Sequence, residues 1–231
     1  MRLATFLIAF ALGCTSSNRP PPHTSLSQIT QGQVVLGAIL EAHGSWPTIC
    51  RWKNKNLSLD DDNEASPAKC EYAQSRVDVT CDGPCRINKR SARPEVTALA
   101  LGQLVVHVTQ TRVDTDQVDR KSFPFEVVKP TKFALECRTA RYTYTTCGPD
   151  GVDAAVPELR VDVFIGERRQ YDLVMQINGK PHELRSSGGG NTVSLADLFP
   201  DARDGDGIKP GTYAVELELG GVIERYQVAA H

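Results

Sequence analysis

Past residue 28, apolar and polar side chains take turns along the chain. Val77, Val79 and Cys81 alternate with Asp78 and Thr80. Leu104, Val106 and Val108 alternate with Val105, His107 and Thr109. Phe123, Phe125 and Val127 alternate with Pro124 and Glu126. Successive side chains of an extended chain point to opposite faces, so a period of two predicts strands with one buried face. An apolar run, Val34-Val35-Leu36-Gly37-Ala38-Ile39-Leu40, precedes them.

The pattern pauses near Val128-Lys129-Pro130-Thr131 and then restarts. Leu159, Val161 and Phe164-Ile165 are followed by Leu173-Val174-Met175-Gln176-Ile177. Asn178-Gly179 supplies the positive φ angles of a type I′ turn and predicts a hairpin. Tyr213, Val215, Leu217 and Leu219 alternate with Ala214, Glu216 and Glu218, and Gly220-Gly221 turns the chain into Val222–Val228. Short strands with turns at this spacing predict an all-β sandwich. Helix is confined to short pieces, expected at Val96–Leu101 and Ser194–Phe199. In the second, Ser194 and Asp197 have the spacing of a capping box, and Pro200 ends it.

The halves echo one another. In each, a short helical piece is followed by a glycine, a strong alternating strand, a hairpin and a last strand. Domains are therefore expected at 30–128 and 131–231, each about the size of an immunoglobulin-like sandwich. Pro210-Gly211-Thr212-Tyr213 resembles the approach to the penultimate strand of bacterial immunoglobulin-like and fibronectin-III-like domains. That resemblance implies two tandem immunoglobulin-like β-sandwich domains. It also implies a corner in which the Tyr213 hydroxyl bonds back to the backbone; the first half carries Leu104 where such a tyrosine would sit.

Ahead of the strands lies a different kind of segment. Met1-Arg2 is followed by a mostly apolar stretch, Leu3–Leu12, and by Gly13-Cys14. A basic start, about ten apolar residues and small residues at the end describe an export signal. The stretch is too short to span a bilayer as a stable helix. Residues 14–29, with Pro20-Pro21-Pro22, have the composition of an extended tether. Ala11-Leu12-Gly13-Cys14 resembles the lipobox of bacterial lipoproteins. The resemblance implies cleavage after residue 13, acylation of Cys14 and attachment to a membrane. Several acyl chains give lasting anchorage where one does not. Thr15 does not resemble the aspartate that retains such proteins at the inner membrane, so the outer membrane is favoured. Ala11-x-Gly13 also resembles an ordinary secretory cleavage site, which leaves secretion without a lipid as the alternative.

Composition narrows the function classes. The 231 residues carry 26 Lys+Arg against 28 Asp+Glu, a net charge of −2. Bulk charge therefore gives no support to nucleic-acid binding. A hydrophobic share of 40% fits a globular core and excludes a disordered tail. The seven cysteines cannot all pair with one another. With Cys14 acylated, Cys50, Cys70, Cys81 and Cys85 remain in the first half and Cys137 and Cys147 in the second. Disulfides are the default in an oxidising compartment. Cys137 pairs with Cys147. Of the three connectivities open to the first half, Cys81–Cys85 across Asp82-Gly83-Pro84 suits a tight turn, leaving Cys50–Cys70.

No catalytic motif is present: no G-x-S-x-G, no H-E-x-x-H, no P-loop and no dinucleotide glycine pattern. No cofactor is expected. Asp201, Asp204 and Asp206 are the oxygens a calcium ion would use, but the spacing fails the EF-hand pattern and a solvated turn is the favoured reading. Two segments could bind a partner. Arg86, Lys89, Arg90 and Arg93 form a basic patch in one loop. Arg138, Arg141, Tyr142 and Tyr144 lie between Cys137 and Cys147, where a disulfide would pre-order residue types frequent in binding hot spots. The same Tyr/Thr-rich run also suits a plain strand.

The expectation is a cell-envelope lipoprotein anchored to the membrane at Cys14, with a non-catalytic binding or assembly role toward another envelope protein or a glycan. A carbohydrate- or protein-binding module without lipid is one alternative. An envelope enzyme acting on glycan or peptide, its site assembled from loops, is another.

Overall fold

A computed structural model describes residues 23–27, 32–46, 49–51, 69–71, 74–89, 93–139, 143–147, 151–186 and 191–231. The signal segment, Cys14 and the proline run lie outside them. In the first half the strands are β1 (His23–Leu26), β2 (Gln33–Val35), β3 (Ile39–Ser45), β4 (Ile49–Arg51), β5 (Lys69–Glu71), β6 (Ser75–Asp82), β7 (Cys85–Asn88), β8 (Glu95–Ala98), β9 (Gly102–Arg112) and β10 (Val118–Val128). The second half runs through β11 (Lys132–Arg138), β12 (Tyr144–Thr146), β13 (Glu158–Ile165), β14 (Arg168–Gln170), β15 (Leu173–Ile177), β16 (Lys180–Leu184), β17 (Thr192–Ser194), α1 (Leu195–Leu198), β18 (Arg203–Asp204), β19 (Gly207–Ile208), β20 (Gly211–Leu219) and β21 (Val222–Ala230).

The architecture is all-β. The first half builds one sheet in the order β1-β3-β8-β7 and another in the order β2-β10-β9-β6. The second builds β12-β11-β13-β14, with β17 also on β13, and β16-β15-β20-β21. Each half has a segment running parallel to its last strand: β2 along β10, and Val152 bridged to Ala230 of β21. The alternating residues face inward as their period predicts. Leu104, Val106 and Val108 are buried, as are Phe125, Val127, Leu159, Val161, Val215 and Leu217. These positions belong to one continuous apolar core that extends across both halves. One fully buried Val or Leu contributes about 1.5–3 kcal/mol, as much as a short-loop disulfide, so the core is the main support of the fold.

Turn chemistry acts where the sequence places it. Asn178 and Gly179 have φ of 51° and 72° and close the β15–β16 hairpin. The Asn178 side chain also accepts from the Glu216 amide (2.8 Å), tying the hairpin to β20. The Tyr213 hydroxyl donates to the Lys209 carbonyl (2.5 Å), and its ring sits 5.0 Å from that of Phe199.

The apolar run at 34–40 is two strands in different sheets, because the chain turns at Leu36-Gly37 and Gly37 adopts φ +80°. Three expectations change. The helical piece expected from Val96 is strand β8, paired on both sides, with all four of its residues buried. Ser194 makes no side-chain cap. The Leu195 amide donates instead to the Pro157 carbonyl (2.7 Å), so a tertiary contact starts the single helical turn. His23–Leu26, within the expected tether, is strand β1; Thr24 and Leu26 are buried against the sandwich.

Candidate functional site

Cys81 and Cys85 are disulfide-bonded across Asp82-Gly83-Pro84, joining the end of β6 to the start of β7. Cys137 and Cys147 are also bonded, joining β11 to the residue after β12. Cys50 and Cys70 stand opposite one another in the β4–β5 register.

Part of the basic patch borders a concave site. A cavity of about 640 Å³ is lined by His23 from β1, Ala42–Ser45 from β3, Ser75–Asp78 from β6, and by Lys89, Arg93 and Pro94. Arg86, on β7, is outside this lining, and Arg90 lies outside the described residues. Arg76 pairs with Asp78 at 3.1 Å. Beside these residues, Glu41 is 3.6 Å from Arg93, 3.7 Å from His43 and 3.6 Å from Arg185 of the second half. Arg185 in turn reaches Glu95 at 3.0 Å, and Asn88 donates to that same carboxylate (3.1 Å). The guanidinium of Arg185 thus ties the wall of the cavity to the second half.

A buried residue that sequence reasoning missed shapes this wall. Gln110 is fully enclosed. With its amide oxygen toward β3 it accepts from the Ser45 amide and the Trp46 indole N–H, each at 3.0 Å. The Thr24 hydroxyl lies against the same amide and donates to Asp119 (2.5 Å). A Cβ at Gly44 would come within 2.7 Å of the Gln110 side chain, so glycine there gives the network its room. A buried polar group is costly unless paired. Gln110 therefore fixes β1 and the end of β3, which carry His23 and His43. The signal was weak: a polar residue at an inward position of an alternating strand.

The Arg/Tyr segment has another setting. Arg138 and Tyr144 are direct cross-strand neighbours on β11 and β12. Arg138 pairs with Glu158, Arg160 pairs with Glu136, and the Arg160 guanidinium stacks 4.7 Å from the Tyr144 ring centre. Burial and the hydrogen bond to Glu158 push the Tyr144 phenol up to about 12. Burial raises the Glu158 carboxyl, but hydrogen bonds from Tyr144, Arg138 and Thr192 outweigh it and hold the group below its ordinary value. Two positions along β13 from Arg160, Asp162 is buried and its carboxyl is raised by desolvation, opposed by Arg169 and Arg160. Arg138 and Tyr144 are engaged in a ladder within their own sheet. Arg141 and Tyr142 lie outside the described residues.

A hydroxyl, an imidazole and a carboxylate do meet elsewhere. His107 Nδ1 is 2.8 Å from Ser122 Oγ, and Nε2 is 3.0 Å from Asp82 Oδ2. Hydroxyl and carboxylate on opposite ring nitrogens is the arrangement of a catalytic triad. These three residues stand on an open sheet face, however. Ser122 is the direct cross-strand neighbour of His107, and the Asp82 side chain is 79% exposed. Water at such a face screens the charges that a buried triad uses.

Asp204 and Asp206 line a cavity of about 550 Å³ together with Asp153 and His231. Asp201 is in the 3-10 turn Pro200–Ala202, outside that lining. Among the described residues, no group of three or more His, Cys, Asp or Glu side chains is arranged to hold a metal ion. No helix among them is long and apolar enough to cross a membrane.

No family model and no curated protein matches the chain. Among solved structures it is similar to the Bacteroides ovatus mixed-linkage glucan utilization locus SGBP-B in complex with a mixed-linkage heptasaccharide. Identity is 10%, over 92% of this chain and 71% of that one, with a TM-score of 0.25.

Proposed function

We propose that this chain is an exported binding protein of the bacterial cell envelope, anchored by lipid at Cys14, with the cationic cavity between β1, β3 and β6 as its ligand site. The cavity carries this reading. It is concave, its volume falls within the roughly 300–1,000 Å³ of small-molecule sites, and four separate segments of the chain converge on it. Its partner is a glycan or another component of the envelope. The Ser122–His107–Asp82 group lies on an open face, which favours binding over catalysis.

The cysteines support export. Two disulfides are formed, as expected of an oxidising compartment. A third pair, proposed between Cys50 and Cys70, would leave Cys14 as the odd one. The anchor is tested by metabolic labelling with palmitate in a bacterial host: label on the wild type and none on Cys14→Ala is expected. An unlabelled wild type would mean secretion without lipid. The ligand site is tested by titrating envelope glycans against the wild type and a Lys89→Ala variant; equal binding by both would remove the cavity from consideration.

A further inference from the structure

The lining of the cavity runs against the charge of the whole chain. The protein carries −2 overall, yet among the described residues Arg76, Lys89 and Arg93 line the cavity with a single carboxylate, Asp78. Asp78 is engaged by Arg76. Glu41, two residues from His43 on β3, lies 3.6–3.7 Å from Arg93, His43 and Arg185. The site therefore offers positive charge in a concave setting, where low-dielectric walls concentrate the field. Lys and Arg are the side chains that meet phosphate with charge-assisted hydrogen bonds.

Size and wall chemistry narrow the ligand further. A cavity of about 640 Å³ far exceeds a lone phosphate ion. The hydroxyls of Ser45 and Ser75 and the imidazoles of His23 and His43 add hydrogen-bonding groups that suit a polyol. Position adds a third argument. His23 follows Cys14 by nine residues, and a fully extended chain of that length spans at most about 30 Å. An anchor at Cys14 would hold this cavity close to the lipid headgroups.

We infer that the cavity binds a phosphate ester of a polyol, either a phospholipid headgroup or a soluble phosphorylated sugar or glycerol. The inference rests on the cavity being the ligand site; the membrane source also rests on the anchor.

The test uses the processed chain from residue 14 with Cys14→Ser, so that no lipid contributes. One arm titrates sn-glycerol 3-phosphate by calorimetry. The other measures co-sedimentation with phosphatidylcholine vesicles with and without phosphatidylglycerol. Saturable binding in either arm is expected, weakened about tenfold by Lys89→Glu and unchanged by Lys129→Glu, an exposed lysine elsewhere. Binding only to the vesicles identifies a headgroup, and binding only to the soluble ester identifies a free ligand. No binding in either arm overturns the inference, as does equal loss in both variants, which would signify bulk charge. Circular dichroism establishes that each variant is folded. Palmitate labelling of the wild type is read separately, so failure here leaves the anchor standing and an unlabelled Cys14 leaves this site standing.

Discussion

Gly37 and Val174 meet backbone to backbone where the two halves of the chain join. The Val174 amide donates to the Gly37 carbonyl (2.9 Å), and a Cβ on residue 37 would overlap the Val174 carbonyl oxygen. Beside them Ala38 bridges Leu173, and the Ile39 amide donates to the Asp172 carbonyl (2.7 Å). Gly37 also has φ +80°, a conformation that L side chains rarely adopt.

Gly37→Ala therefore meets both strain and a clash with backbone that cannot swing aside. The expected loss is at least about 2 kcal/mol in denaturant unfolding. Gly179→Ala is the control. Its φ is +72° but nothing lies near its missing Cβ, so it should lose only about 1 kcal/mol. Equal losses would mean that the junction is not a close contact.

The Cys137–Cys147 bond closes a short loop, with a sequence separation of 10. Chain entropy assigns such a loop about 2–3 kcal/mol. The double variant Cys137→Ala/Cys147→Ala should lose about that much, read from its urea midpoint. Intact mass before and after reduction should change by the hydrogens of the disulfides. Free thiols at Cys137 and Cys147 in the unreduced protein would refute the bond.

Glu158 makes stability depend on acid. Its carboxyl is held below its ordinary value in the fold. It therefore contributes stability that is present above that value and lost as pH falls through the lowered one. The gap in urea midpoint between wild type and Glu158→Gln should be largest near pH 6 and shrink toward about pH 3. A gap that stays constant with pH would show that Glu158 acts through packing alone.

Ser122, His107 and Asp82 have triad distances but, among the described residues, no enclosing site. Wild type and Ser122→Ala should hydrolyse p-nitrophenyl acetate at the same background rate. Their stabilities should agree within about 0.5 kcal/mol, as for a surface substitution. Turnover that depends on Ser122 would bring back the enzyme reading.

Local chemistry made much of the fold legible in the sequence. The alternation of Leu104, Val106 and Val108 identifies a buried face because strand geometry repeats every two residues. Asn178-Gly179 identifies a hairpin because few residues accept its φ angles. The Tyr213 corner, which the resemblance of Pro210–Tyr213 implied, forms with a partner, Lys209, only four residues away. Tertiary structure decided what depends on neighbours from afar. Residues 95–98 became a strand because β3 and β7 flank them, and Gln110 acquired its role from Thr24, Ser45 and Trp46. The sites divide in the same way. A basic run at Lys89 and Arg93 was visible in sequence, but its union with His23, His43 and Arg76 follows from sheet order. The Arg/Tyr run was equally visible, yet Arg138 and Tyr144 are engaged by residues of β13. Periodicity and turn residues act over a few positions of chain. Charge partners and cavity walls are chosen by strands that pair across many tens of residues, and only the folded sheets bring them together.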